Sequence, residues 1–471
     1  MTAVLPTPRT SWSGTPGPAS GPRSSATLRG DGWLARDDPR HGSAALPGLG
    51  RRLAGRLLDG LRDPEQALAL LLIAAFALRI AWLSVPAGAL IFDEAFYVNA
   101  SRVILGWEVP EGAHYHDAVA GIDPNREHPP LGKVLMAASM AVFGDNGLGW
   151  RLPSVVAGMV ALLALYVIVR SAGESRRLGL LAVALFAFDN LAFVHARIAT
   201  LDMLALAPIL VAAWLALRGR WLAAGAAIGL GLLVKLTALY GLLALLILAG
   251  PGILEAWRHE RRPLPSTLRP AALPLAGTVV VAGAGLWALD ARFTTFADPV
   301  DHVVHMLRYG TTLVREGGPP EDCISNDSTP WMWLVNDCEM RYLRVAESVR
   351  VEGELIATHA SIDFRGAMNP ALLGAMSLAV PYAAWVAWRR RSRLATWSVA
   401  WLAATYVPYL WLVLVGQRVA YIYYFLPLVP ALGVAIALLL VRAGLPRVVL
   451  WAYLAAYGWG YAAYFPFREI P

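Results

Sequence analysis

Residues 67–97 read ALALLLIAAFALRIAWLSVPAGALIFDEAFY: an apolar run from Ala67 to about Gly88, closed by two adjacent carboxylates, Asp93 and Glu94. At about 1.5 Å per residue such a run crosses a hydrocarbon layer about 30 Å thick as a single helix. Strands of a membrane barrel alternate in polarity, and this run does not, so helical spans are expected.

The rest of the chain repeats the pattern. It has 471 residues, 57% hydrophobic and only 15% charged, with a mean hydropathy of +0.52. Both values point away from a soluble globule. Spans are predicted at about 67–88, 150–170, 178–195, 200–217, 221–234, 236–250, 272–289, 371–388, 394–415, 419–441 and 446–464, eleven in all. The run 131–143 is too short to cross and is placed on the outer surface as a juxtamembrane helix. The stretch Trp221–Ala249 fits one long tilted helix or a hairpin turning at Lys235, and charge placement favours the hairpin. With it, the arginines at 170, 176 and 177, at 218 and 220, at 258–269, at 389–393 and at 442 and 447 all fall on one side, the cytoplasmic one. The net charge of +7 is thereby read as topology, and no nucleic-acid partner is expected.

Residues 1–65 are rich in Pro, Gly, Ser and Arg without apolar periodicity, and are expected to form a disordered cytoplasmic tail. No signal-peptide core precedes Ala67, so the first span is expected to be an uncleaved anchor. The body is 66–464 and 465–471 a short tail. The loops 89–149 and 290–370 then face outward, and function is sought there. Cys323 and Cys338 share the second loop; a disulfide closing about 16 residues is one reading, contributing about 3 kcal/mol to loop order, and two unpaired thiols are the other.

The chemistry-bearing residues gather at the outer ends of the spans. Asp93 is read as a general base, with Glu94 raising its pKa or orienting an acceptor; a solvated interfacial turn is the plain alternative. In Glu127-His128-Pro129-Pro130-Leu131-Gly132-Lys133 two prolines stiffen the chain and fix where His128 and Lys133 point. Arg151 opens the next span, Arg197 and Asp202 occupy a later outer turn, Lys235 sits at the hairpin apex, and Arg418 precedes the last outer aromatic segment, which begins at Tyr421. The chain has only two lysines, Lys133 and Lys235, both at the outer face, where an ammonium can act as a point-charge phosphate ligand or simply snorkel. Carboxylates beside fixed cations at a lipid boundary suit a reaction with a lipid phosphate as leaving group and a hydroxyl as nucleophile. Trp331, Trp333, Tyr421, Tyr423 and Tyr424 are read as belt or packing residues.

At Asp93-Glu94, His128 to Lys133, Arg151-Leu152-Pro153, Arg197 to Asp202, Ser328 to Trp333 and Tyr424 to Pro427 the chain resembles the protein O-mannosyltransferase family, bacterial branch, within the GT-C class of polyprenyl-phosphate-sugar-dependent glycosyltransferases. The resemblance implies an all-α polytopic membrane protein, a GT-C bundle with outer juxtamembrane helices, in the plasma membrane. It implies inverting transfer of mannose from polyprenyl-phosphate mannose to Ser or Thr hydroxyls of exported proteins at the extracytoplasmic face, beside the secretion machinery. Asp93 would be the base, and Arg151 with nearby cations would hold the donor phosphate. Related GT-C enzymes move aminoarabinose or other sugars to lipids or cell-wall glycans, and this is the alternative. A transporter is less in keeping with the sequence, since no internal repeat is visible. No cofactor and no divalent metal is expected to be required, because His128 and Glu127 lack a convincing third ligand.

Overall fold

The computed structural model describes residues 63–260, 264–315, 327–351 and 353–471. The expected N-terminal tail lies almost wholly outside the described residues, as does Cys323; Cys338 is disulfide-bonded.

The described chain is mostly helical. Its first helix, Pro64–Ile80, starts where Asp63 accepts from the Glu65 N–H and Pro64 fills a first-turn position that needs no N–H of its own. Among the described residues, six helices are long and apolar enough to cross a membrane: Gly147–Ser171, Leu236–Arg258, Ser266–Phe293, Pro370–Arg390, Arg393–Leu414 and Ile422–Arg442. The other expected spans are shorter helices, Pro64–Ile80, Arg176–Ala187, Leu201–Leu217, Trp221–Leu232 and Arg447–Ala463. The expected span 178–195 is interrupted, because the buried Asp189 caps a new helix, Asn190–His195, by accepting from Ala192 N, and also accepts from Asn369 N. The hairpin at Lys235 is present: Trp221–Leu232 ends just before it, and a 3-10 turn Leu236–Ala238 leads into Leu239–Glu255.

Close helix packing depends on small residues, as it must where lipid offers as good an apolar environment as a neighbouring helix. Helix Trp221–Leu232 lies on helix Leu264–Phe293 through Gly225 and Gly277. The helix Val429–Arg442 is buried along most of its length. Large apolar side chains such as Val279, Trp388, Trp451 and Trp459 stand exposed on outward helix faces, which suits contact with hydrocarbon.

The described parts of the loop 290–370 carry more regular structure than the sequence announces. They include the helix Pro299–Thr312, the single turn Pro330–Trp333 and an antiparallel hairpin, β1 (Met340–Val351) with β2 (Glu354–Gly366). The hairpin is the one sheet among the described residues, a departure from the expected all-helical body. Its base is pinned to the bundle, with Asp363 N donating to Pro466 O and Tyr342 Oη lying 2.9 Å from His195 Nε2.

Candidate active site

The two adjacent carboxylates are put to different uses. Phe92 is left-handed, with φ +57°, a conformation disfavoured for a bulky residue. Its ring stacks on Tyr342 at 4.4 Å and meets Tyr423 edge-on at 5.5 Å. The turn that results sends Asp93 and Glu94 to opposite sides of the chain. Glu94 is fully buried and accepts from Ile91 N (2.7 Å), Ala199 N (2.7 Å), Arg151 Nε (2.8 Å) and Arg151 Nη2 (2.8 Å). Asp93 faces a cavity of about 810 Å³, shared with Tyr97, Asn125, Glu127, His128, Lys235 and Arg418 among others.

Burial pushes the Asp93 carboxyl up to about 7; the negative charge of Asp202 adds to the rise, while Lys235 and the Tyr97 hydroxyl hold it back. A carboxylate of that basicity is matched to taking a proton near neutral pH.

Lys235 lies 2.7 Å from Asp202 Oδ1 and over the rings of Tyr423 and Tyr424, at 5.2 and 5.9 Å. Arg418 gives one N–H to Gly310 O and sits part-exposed on the cavity wall. His128 lines the same wall, and burial, with the charges of Lys235, Lys133 and Arg418, drives its ring well below its ordinary pKa, which favours the neutral form. Four of the expected site residues, Asp93, His128, Lys235 and Arg418, thus meet around one space, although they are distant in sequence. Asp202 reaches it through Lys235.

The other expected site residues stand off the cavity wall. Arg151 is 1% exposed and, besides its bidentate pair with Glu94, donates to Leu83 O and Ala89 O; each of its three nitrogens is engaged within the fold, which makes it a brace for the Asp93 turn. Arg197 gives its two Nη groups to the carbonyls of Leu78, Ala81 and Trp82 at the end of the first helix, while its buried Nε has no hydrogen-bond partner. Lys133 is buried against Asp123 (2.6 Å) and donates to the carbonyls of Asn125 and His128. Glu94, held by Arg151 and the Ile91 and Ala199 N–H groups, does not line the cavity.

Sequence reasoning missed Tyr115, Asn125, Tyr240 and Tyr309, which line the cavity, and took Tyr421, Tyr423 and Tyr424 for belt residues although they line it too. Aromatic residues near a membrane surface look alike whether they face lipid or a ligand, so the sequence held no signal to separate them. As to metals, the described residues bring together one set of three potential ligands, Glu347, His359 and Glu469, on the hairpin and the C-terminal segment, and none of the three lines the cavity.

Residues 127–281 match the family model described as dolichyl-phosphate-mannose-protein mannosyltransferase. The chain is 26% identical to the polyprenol-phosphate-mannose–protein mannosyltransferase of Corynebacterium glutamicum, over 78% of its own length and 81% of that protein. A Mycobacterium tuberculosis protein of the same description is 38% identical over 117 residues, 25% of this chain and 21% of that one. Among solved structures, the S. cerevisiae protein O-mannosyltransferase Pmt1–Pmt2 complex bound to the sugar donor superposes with a TM-score of 0.62, covering 88% of this chain and 92% of that one at 11% identity. At that identity the likeness speaks for the GT-C fold.

Proposed function

We propose that this chain, a GT-C-fold homologue of the bacterial polyprenol-phosphate-mannose–protein mannosyltransferases, transfers mannose from a polyprenyl-phosphate carrier to Ser or Thr hydroxyls of exported proteins. The observation that carries the proposal is one cavity holding a carboxylate poised near neutrality, Asp93, together with two cations, Lys235 and Arg418. Leu236, Leu239, Leu313 and Leu412 share its wall, which suits entry of a lipid tail.

In the proposed reaction the acceptor hydroxyl attacks the anomeric carbon on the face opposite the phosphate. The new C–O bond forms as the bond to the phosphate oxygen breaks, so the configuration inverts. The hydroxyl proton passes to Asp93, and the electron pair of the broken bond stays on the phosphate, whose charge Lys235 and Arg418 offset. The transition state is oxocarbenium-like; the neutral His128 ring can bond a sugar hydroxyl without repelling it. We place the cavity on the extracytoplasmic side of the plasma membrane, with the N-terminus in the cytoplasm, and infer that acceptors arrive as they leave the secretion machinery.

The test uses the purified full-length chain with labelled polyprenyl-phosphate mannose and a Ser/Thr-rich peptide. Wild type should label the peptide and Asp93→Asn should lose about 10²-fold or more in rate, the contribution of a general base. Labelling that survives Asp93→Asn undiminished would remove Asp93 from this role.

A further inference from the structure

Part of the cavity wall is made by two further pieces of chain. Residues 123–128 bring Asn125, Glu127 and His128, and helix Pro299–Thr312 brings Met306 and Tyr309. The first piece has no regular secondary structure, so its path is set by whatever its carbonyl oxygens meet. Lys133 ties both ends, bonding Asp123 at one and the His128 carbonyl at the other. The Arg126 carbonyl in between lies 3.1 Å from Nε2 of His302, a fully buried residue of the opposing helix.

The other nitrogen of that ring, Nδ1, is 2.7 Å from Oδ1 of Asp290. A carbonyl oxygen can only accept, so Nε2 must carry a hydrogen, and a second proton lies between Nδ1 and the carboxyl. The imidazole is therefore strung between two oxygens on different segments. Phe296 stacks on it at 4.2 Å and 15°, which resists rotation of the ring. Asp290 closes the long helix Leu264–Phe293, whose last residue, Phe293, accepts from Asp123 N at 2.6 Å. Three segments thus meet at His302, two residues before His128 along one and seven before Tyr309 along the other.

We propose that His302, oriented by Asp290, is a positioning residue that holds the 123–128 segment and helix Pro299–Thr312 at the separation the sugar donor needs. The inference rests on reading the cavity as the donor site. His302 touches no substrate; it acts through the Arg126 carbonyl on His128 and Glu127, where a displacement of about 1 Å is enough to cost activity heavily.

Two near-isosteres separate this role from a merely structural one. In His302→Gln the side-chain amide reaches the place of Nε2 and keeps the bond to Arg126 O; in His302→Asn it reaches the place of Nδ1 and keeps the bond to Asp290. Each full-length variant is compared with wild type in melting temperature, in KM for polyprenyl-phosphate mannose, and in amide hydrogen exchange of a peptide covering 123–130. The expected result is a KM about 10-fold higher and faster 123–130 exchange for His302→Asn, with His302→Gln near wild type in both even where it melts lower. If KM instead follows melting temperature across the pair, or exchange in 123–130 is unchanged in His302→Asn, the proposal is overturned. Phe296→Leu, which removes the stacked ring and leaves both donors, is a milder variant should His302→Asn not fold, and is expected to speed exchange in the same peptide. A wild-type protein that transfers no mannose would instead remove the functional reading, and the exchange comparison still decides on His302.

Discussion

Asp93 and Glu94 are neighbours in sequence, and what distinguishes them is solvation and company. Glu94 has four N–H donors around it, while Asp93 has a desolvating cavity and a carboxyl pushed up to about 7. The base form of Asp93 therefore fills as pH rises through 7, and kcat/KM for transfer is expected to climb tenfold per pH unit below that point and level above it; a profile flat from pH 5 to 8 would exclude Asp93 as the titrating base. The sign for stability is opposite. A carboxyl whose folded pKa lies above its unfolded one contributes stability at low pH that is lost as pH passes the folded value, so Asp93→Asn is expected to melt above wild type at pH 8, a trade commonly made at active sites. Arg151 behaves differently. Removing it leaves Glu94 as a buried, unpaired charge, at a cost on the order of 3–5 kcal/mol. Arg151→Ala should therefore appear as lost folded protein in detergent melts, with Arg151→Ala/Glu94→Gln recovering part of the loss; a well-folded single variant with only a raised KM for donor would restore Arg151 as a phosphate ligand. The sequence signalled that a charge sits at the membrane edge, but a buried brace and a ligand look the same there, since only the hydrogen-bond partners differ.

At the scale of elements, the long helices were legible because apolar length is a one-dimensional property. What was not legible depended on single contacts. The break at Asp189 arises from a cap whose second oxygen is used by Asn369, 180 residues away in sequence. The hairpin Met340–Gly366 escaped because most of its outer half is exposed on both faces, which blurs the alternation that marks a strand. Helix packing was likewise hidden, yet it carries a sharp expectation. A Cβ at Gly225 would stand 2.0 Å from Pro274 O, and one at Gly277 would stand 2.3 Å from Leu222 O. Both obstacles are backbone atoms, so the helices must move apart. Gly225→Ala and Gly277→Ala should each destabilise by about 1–3 kcal/mol, read as a lower melting temperature, whereas Gly250→Ala, with nothing within 4 Å, should be neutral or slightly stabilising. Equal melting of all three would mean that these helices are not in close contact.

The whole molecule has two chemically distinct ends. Helix Leu239–Glu255 starts at the cavity, where Leu239 lines the wall, and finishes at Glu255, which pairs with Arg391 at 3.4 Å. Helix Arg393–Leu414 runs back from that arginine cluster to Leu412 on the cavity. The arginines 389–393 therefore lie at the end remote from Asp93, and short basic connections are retained in the cytoplasm. The proposed outward opening of the cavity rests on that separation, and it can be tested with a membrane-impermeant maleimide on intact cells, using wild type to set the background from the native cysteines. Val119, 72% exposed in the loop that follows helix Glu94–Leu105, is expected to be labelled as Val119→Cys without permeabilisation. Arg391→Cys, at an equally open position, should react only after the membrane is breached. Labelling in the reverse order would turn the cavity toward the cytoplasm, where exported acceptors have not yet emerged, and the proposed substrate would have to be abandoned even if the chemistry at Asp93 stood.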